Sequence, residues 1–282
     1  MSLKKEVTIY DIAKSLKLSA STVSRGLRDH PAIRKETVRR IKEAAQNMGY
    51  HQNPFASNLR RNRSNTIGVI LPRLDSNFQS SVVAGIEKRV KQYGYNLIIS
   101  QSRESTEKEN VNISTMYNSR VDGLLVSLAC DTCNLSHFDL MLRKGIPVVL
   151  FDRVKDHPDY QCAKVIIDNV KAGFDATNHL IEQGCRRIMF VSDNPACYVY
   201  AERYEGYRQA LKDHGMTAEK EYIFITRLDE DSGIRTVDRI LGMKERPDAI
   251  FVANDTSAVS IIVSLKERRE IKDTILHSHP PV

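Results

Sequence analysis

Tryptophan is absent from the 282 residues, and aromatic side chains amount to only 7%. No apolar run approaches the ~20 residues needed to cross a bilayer, so a membrane partner is not expected. The start, MSLKKEVTIYDIAKSL, is charged and has no uninterrupted apolar core, so no secretion signal is visible and a cytoplasmic protein is expected. Cysteine is sparse and odd in number: Cys130, Cys133, Cys162, Cys185 and Cys197. Such a scattered set predicts reduced thiols. Cys130 and Cys133 form one CxxC spacing, but no nearby CxxC or HxxxH completes a zinc site. That pair reads as incidental, with a residual chance of redox sensitivity, and neither metal nor cofactor is expected. G-x-S-x-G and P-loop motifs are also missing, which argues against an enzyme; turnover of a sugar or nucleotide would revive that class.

Acidic charge is scarce in one place. Residues 1–64 hold 14 Lys/Arg against 5 Asp/Glu, a net of +9, whereas the rest of the chain has a net of −2. A basic module on a near-neutral body is the electrostatic footprint of a polyanion binder, although a solvated basic face would look the same. Apolar residues at 41% are enough for an ordinary core, and the length suits a small head on a two-lobed body.

The first 50 residues read as three short helices. Thr8 caps the first, with Ile9, Ile12, Ala13 and Leu16 on its inner face. Ser19 caps a second from about Ala20 to Arg28, with Val23 and Leu27 inward. A third runs from about Arg34 to Met48, with Val38, Ile41, Ala45 and Met48 inward and Gly49 as its stop. HQNPFASNLRRNRSN, residues 51–65, is polar and basic, with Asn53 as a cap and Pro54 at the first helical position. It predicts about two helical turns, unstable alone in water.

From Thr66 onward the rhythm changes. TIGVILP, NLIIS, DGLLVSL, PVVLF, AKVII, RIMFVS, YIFIT and DAIFVA alternate with amphipathic helices. The first of these helices, around 80–93, places Val82, Val83, Ile86, Val90 and Tyr93 on one face. Continuous apolar strands between helices predict parallel sheets covered on both sides. The fold class is therefore α/β, an all-α head followed by two parallel lobes that split near residue 165.

Residues 7–72 carry T-x-x-D-x-A, S-x-x-T-V-S-R, G-Y-x-x-N and I-G-V in order. Each is weak alone; together they resemble the lactose/galactose repressor (LacI/GalR) family. GIPVVLFDR (145–153), ERYEGYRQAL (202–211) and FVANDTSA (251–258) extend the resemblance to about residue 268. It implies a helix-turn-helix head over 1–50, a hinge helix over 51–65 and a periplasmic-binding-protein-like sensing body over 66–282. The implied partners are double-stranded DNA with a near-palindromic operator, a sugar-like effector and a second copy of the chain. REIKDTILHSHPPV (269–282) departs from the family pattern, and the expectation is a truncated or frameshifted product with an incomplete second lobe.

In a helix-turn-helix head the second helix is the candidate reader of the major groove. Arg25 suits guanine O6/N7, or else a phosphate or surface ion pair. Ser21 suits a base or a phosphate, Ala20 a thymine methyl, and Thr22 and Ser24 phosphates. Thr8, Tyr10 and Ser19 are further candidate DNA contacts. By resemblance, Ala56 and Asn58 face the minor-groove floor beside Asn53, and Leu59 is a wedge between base steps. Packing against head or body is the other reading of Leu59. Arg60, Arg61 and Arg63 would track phosphates.

In two-lobed α/β sensors the ligand lies at the C-terminal ends of the strands. The candidates in the first lobe are Asp75, Asn77, Phe78, Ser127, Asp152 and Arg153. Those in the second are Asp193, Arg203, Asn254 and Asp255, and the resemblance singles out Arg203 and Asn254. Phe78 stacks on a ring or belongs to the core; Asp255 contacts ligand or caps a helix. Asp152 and Arg153 pair with each other or reach the opposite lobe, and Asp168-Asn169 caps helix 170–183. A solute-binding transport protein would share the body fold, but the head and the missing signal argue against it. A truncated product with a folded head and a defective sensor is the remaining alternative.

Overall fold

A computed structural model describes residues 7–50 and 63–268. The chain divides into two units, residues 1–64 and 65–282. In the first, α1 (Ile9–Leu16), α2 (Ala20–Gly26) and α3 (Lys35–Asn47) surround one small core. Local chemistry sets each boundary. The Asp11 carboxylate accepts the Thr8 N–H at 2.8 Å while Thr8 Oγ1 accepts from the Asp11 N–H, a capping box. Lys17 then turns left-handed at φ +55, which closes α1. Ser19 Oγ accepts from the Thr22 N–H at 3.1 Å and starts α2. Ile12, Ala13, Val23, Ile41 and Ala45 are buried at the centre, with Leu16, Leu27 and Met48 around them. Helices this short are marginal in isolation, so that shared core supplies their stability. α2 is shorter than its sequence pattern suggests, because residues 27–29 leave the helix for a turn.

The second unit contains two parallel sheets. The first combines β1 (Thr66–Leu71), β2 (Asn96–Gln101), β3 (Gly123–Val126), β4 (Val148–Phe151) and β5 (Ala163–Val165) in the order β2-β1-β3-β4-β5. Ile67 pairs with both Leu97 and Gly123, so β1 lies between β2 and β3. The crossovers are α4 (Asn77–Gln92), α5 (Thr106–Asn118) and α6 (Asp139–Arg143). The second sheet holds β6 (Ile188–Ser192), β7 (Ile223–Ile225) and β8 (Ala249–Val252) in the order β7-β6-β8 among the described residues. Its helices are α7 (Asn169–Glu182), α8 (Tyr198–Asp213), α9 (Ser232–Leu241) and α10 (Asp255–Glu267). The order reverses between β1 and β3, and again between β6 and β8. A crevice opens beyond the carboxyl ends of the strands at such reversals.

The central apolar runs become strands because both faces are covered, whereas the edge strands β2 and β5 keep exposed residues. Ile70, Leu124, Val126, Val148 and Leu150 join Ile113, Met116 and Phe138 in one core, and Met189, Val191, Val237 and Ile261 share another. α7 and α8 cross with their backbones close together. A Cβ added at Gly206 would lie 2.6 Å from the Phe174 nitrogen, and one at Gly173 would lie 2.9 Å from the Arg203 carbonyl carbon. Glycine at both positions is what permits this approach.

Two expectations are corrected. α4 starts at Asn77 rather than near 80, because Ser76 Oγ accepts from the Gln79 N–H. Its inner face is Val82, Val83 and Ile86, whereas Tyr93 is 66% exposed and lies beneath the Arg89 guanidinium at 5.1 Å. The thiols are not all reduced: Cys130 and Cys197, 67 residues apart, form a disulfide, leaving Cys133, Cys162 and Cys185 free. The fold brings the loop after β3 against the start of α8, a long-range approach that chain spacing does not reveal.

Candidate DNA-reading head and effector cleft

In the head, Tyr10, Ser21 and Arg25 are exposed on α1 and α2. The other candidates are partly occupied within the head itself. Ser19 Oγ caps α2 and shares hydrogen bonds of 2.8 Å with the Ser21 and Thr22 hydroxyls. Ser24 Oγ accepts from Arg28 Nη2 at 3.0 Å. Thr8 is held in its capping box, and Ala20 packs partly onto the core. Arg25 is therefore the side chain of α2 most free to meet another surface, whereas Ser21 is exposed but shares its hydroxyl with Ser19. Asn53, Ala56, Asn58, Leu59, Arg60 and Arg61 lie outside the described residues. Arg63 is exposed.

In the body, the β1 and β3 ends supply the first half of the cleft. Asn77 and Phe78 open α4, and Phe78 is 41% exposed, which removes it from the core. Arg73 grips Asp75 with two bonds of 2.9 and 2.8 Å, a hydrogen-bonded pair that holds the Asp75 carboxyl below its ordinary pKa. Gln79, buried in the first turn of α4, donates from Nε2 to Asp152 Oδ2 at 2.9 Å, and buried Ser127 Oγ donates to the same oxygen at 3.2 Å. Asp152 has φ +57, an unusual left-handed backbone for a non-glycine residue, of the kind that gathers at functional sites.

Asp152 and Arg153 do not pair with each other. Both Glu104 carboxylate oxygens accept from Arg153 Nη1 at 2.7 Å, and Arg153 Nη2 reaches Tyr200 Oη on α8 at 3.5 Å. The Arg153 guanidinium also lies 5.8 Å from the centre of the Tyr200 ring. Burial opposes its charge, yet Tyr200, Glu104 and Asp152 together hold its pKa above the ordinary arginine value. Burial pushes the Asp152 carboxyl up, and the Arg153 charge, the Ser127 bond, Arg203 and Gln79 only partly offset this.

The second half of the cleft comes from β6, α8 and β8. Arg203 donates from Nε to Asn169 Oδ1 at 3.1 Å and from Nη1 to the Ala253 carbonyl at 2.6 Å. Burial lowers its pKa, while Asp152 acts in the opposite sense across the cleft. Asn254 is the cap of α10, accepting from the Ser257 N–H at 2.9 Å and donating to the Leu228 carbonyl at 3.3 Å. Asp255 is therefore not the cap; it is an exposed first helical residue that bonds the Thr256 N–H. Asp193 is turned to its own loops, accepting from the Asn194 and Leu228 N–H groups. Asp168 caps α7 through the Lys171 N–H, whereas its neighbour Asn169 is buried and positions Arg203.

Several side chains here escape a reading of the sequence. Glu104, Gln79, Tyr200, Asn169 and the cystine are the additions. Glu104 had a usable signal, since it follows the second strand as the other candidates follow theirs. The remainder arise from contacts between distant elements. Three buried polar atoms at strand ends and first helical turns, Gln79 Oε1, Ser192 Oγ and Ser257 Oγ, have no protein partner. Among the described residues, no group of three His, Cys, Asp or Glu side chains is placed to hold a metal ion. Nor is any described helix long and apolar enough to cross a membrane.

Comparison with known proteins places both units. Residues 8–53 match the family described as bacterial regulatory proteins, lacI family. Residues 64–279 match the periplasmic binding proteins and sugar binding domain of the LacI family. Catabolite control protein A of Priestia megaterium is 32% identical over 263 residues, covering 93% of this chain and 78% of that protein. The HTH-type transcriptional repressor CytR of Escherichia coli K12 is 30% identical over 277 residues, covering 95% of this chain and 78% of that protein. The fold is shared with the lac repressor dimer solved with operator and the anti-inducer ONPF, at a TM-score of 0.81 and 22% identity over 94% of this chain and 79% of that one. A basic three-helix head, two parallel lobes with reversing strand order and these two successive matches agree: the chain is a DNA-binding transcriptional regulator and belongs to the LacI family.

Proposed function

We propose that this regulator acts in the cytoplasm as a repressor and homodimer on a near-palindromic operator, released or retained by a hydroxyl-rich, sugar-like effector held between the two lobes. It turns over no substrate. Arg25 and Ser21 read base edges in the major groove, Ala20 meets a thymine methyl, and Thr8, Tyr10, Ser19, Thr22 and Ser24 position the head on the backbone. Asn53, Ala56, Asn58 and Leu59 form the minor-groove contact. One small head offers a limited footprint, and two-fold pairing doubles it.

What supports the effector reading is the meeting of Arg153, Arg203, Ser127 and Gln79 around the buried Asp152, together with buried oxygens of Gln79, Ser192 and Ser257 that have no protein partner. Buried polar atoms are nearly always paired, and unpaired ones call for a partner. A neutral polyol satisfies carboxylate, guanidinium and hydroxyl groups together, because each of its hydroxyls both donates and accepts. Asn77, Ser127, Asn254 and Asp255 add polar groups, and Phe78 adds a face for a sugar ring. Ligand would bias lobe closure and so the operator-binding form.

The test selects duplexes from a random pool with the full chain, then weighs the complex by analytical ultracentrifugation. The account expects a two-fold sequence carrying two chains. A selected site without symmetry, bound by a single chain, would overturn the dimeric reading.

A further inference from the structure

The disulfide joins elements of different lobes. Cys130 lies in the loop after β3, and Cys197 is the N-cap of α8, whose helix packs on the second sheet. Their Cα atoms are 4.6 Å apart. Cys130 packs against the apolar cluster of the second lobe, and the cystine lines a cavity together with Thr132, Arg153, Val154 and Tyr198. A covalent bond at this edge limits any hinge between the lobes. Beside DNA inside a cell, thiol pools keep most disulfides reduced, and those that form are typically transient or redox-sensing.

The three cysteines of this region differ in access. Cys197 is buried, at 2% exposure, Cys130 is half-buried and Cys133 is exposed. The loop that bears two of them is fixed by one buried carboxylate. Glu109 accepts from the Ala129 N–H at 2.8 Å and the Thr132 hydroxyl at 3.1 Å, and its Oε1 lies 2.7 Å from His137 Nε2. A turn closed by the Thr132 N–H on the Ala129 carbonyl, at 3.1 Å, separates Cys130 from Cys133. Cys130 is thus held against the other lobe while Cys133 stands in solvent three residues away.

We propose that Cys130–Cys197 is a reversible redox latch on the hinge between the lobes, with Cys133 as the thiol that opens it. Cys133 gives its proton to solvent, and its thiolate attacks Cys130 Sγ. The Cys130–Cys133 bond forms as the Cys130–Cys197 bond breaks, and the electron pair leaves on Cys197, which then takes up a proton. This exchange involves no net oxidation. Full reduction consumes two low-molecular-weight thiols and yields their disulfide; the reverse reaction, with that disulfide as oxidant, closes the latch. The latched form is confined to one lobe arrangement, so thiol status sets the population from which an effector selects.

The test equilibrates the full chain in glutathione buffers from reduced to oxidised. Linkages are quantified by non-reducing peptide mapping, and amide exchange is followed in residues 127–133 and 194–200. The expected result is a Cys130–Cys197 linkage in oxidising buffer that disappears in reducing buffer, with faster exchange in both segments once it opens. Cys133→Ser should still form the linkage but open about tenfold more slowly with reduced glutathione, because it loses the intramolecular attacker. Absence of the linkage at every poise, or identical exchange with and without it, would overturn the latch. Opening of Cys133→Ser at the wild-type rate would overturn the role of Cys133. These readouts need no operator and no effector, so they stand or fall separately from the proposed function.

Discussion

Ile41 is fully buried at the centre of the head, in a core with five buried side chains among the described residues. Replacing it with alanine deletes three carbons, and at about 0.8 kcal/mol each the transfer loss alone is roughly 2.4 kcal/mol. The cavity left behind raises the cost toward about 4 kcal/mol, since α1, α2 and α3 are too short to collapse into it freely. A single core of this size rarely supplies more than about 3–5 kcal/mol in total. Ile41→Ala therefore takes the head to the edge of unfolding while leaving the cores of the body untouched. In a small domain each kcal/mol shifts the midpoint by about 4–8 °C, so the head transition should fall by about 10–30 °C. Scanning calorimetry of the full chain reads this directly, with the body transition as the internal reference. Operator binding should weaken in step with the unfolded fraction of the head. A head transition lowered by less than about 5 °C, or equal shifts in both transitions, would refute the reasoning that one small independent core sustains the DNA-binding unit.

Arg25→Ala should cost about 1–3 kcal/mol at one operator position and relax specificity there. Titration of single-base operator variants checks this, and a uniform loss across them would make Arg25 a phosphate contact. Glu109→Ala leaves the Ala129 N–H and the Thr132 and His137 side chains without their acceptor. Urea unfolding of the body should then show a loss of about 3 kcal/mol or more, and a loss below about 1 kcal/mol would show that the loop finds other partners. Burial raises the Asp152 carboxyl above its ordinary pKa. Its stabilising contribution is therefore complete below the unfolded-state pKa and is lost as pH rises through the folded-state value. Relative to Asp152→Asn, the wild-type urea midpoint should fall as pH rises above the ordinary carboxylate range; parallel curves would contradict this.

The fold was largely legible because its signals are local. Each of the eight described strands falls largely within an apolar run, since the central parallel strands, buried on both faces, have no polar side to show. The head helices follow from their periodicity and the Thr8 and Ser19 caps. Strand-end reasoning selects Ser127, Asp152, Arg153 and Asn254 as candidates, and the fold places each of them just beyond the carboxyl end of a strand. What escaped depends on distant elements meeting. Cys130 and Cys197 are 67 residues apart, and nothing near either one announces the other. Asn169 resembles half of a capping pair until Arg203 arrives from α8 to use it. Tyr93 fits the apolar face by spacing, but the helix ends there and the ring turns outward to Arg89.

The most direct test of the account is an operator titration with the full chain across a range of salt, with and without each of a panel of sugars and sugar derivatives. Binding should be sequence-selective and weaken steeply with salt, as phosphate contacts require. One hydroxyl-rich ligand should change operator affinity by about 5–150-fold, and operator should change that ligand's affinity by the same factor. A ligand that binds the cleft yet leaves operator affinity unchanged, or DNA binding that ignores sequence, would contradict the claim that the body controls the head.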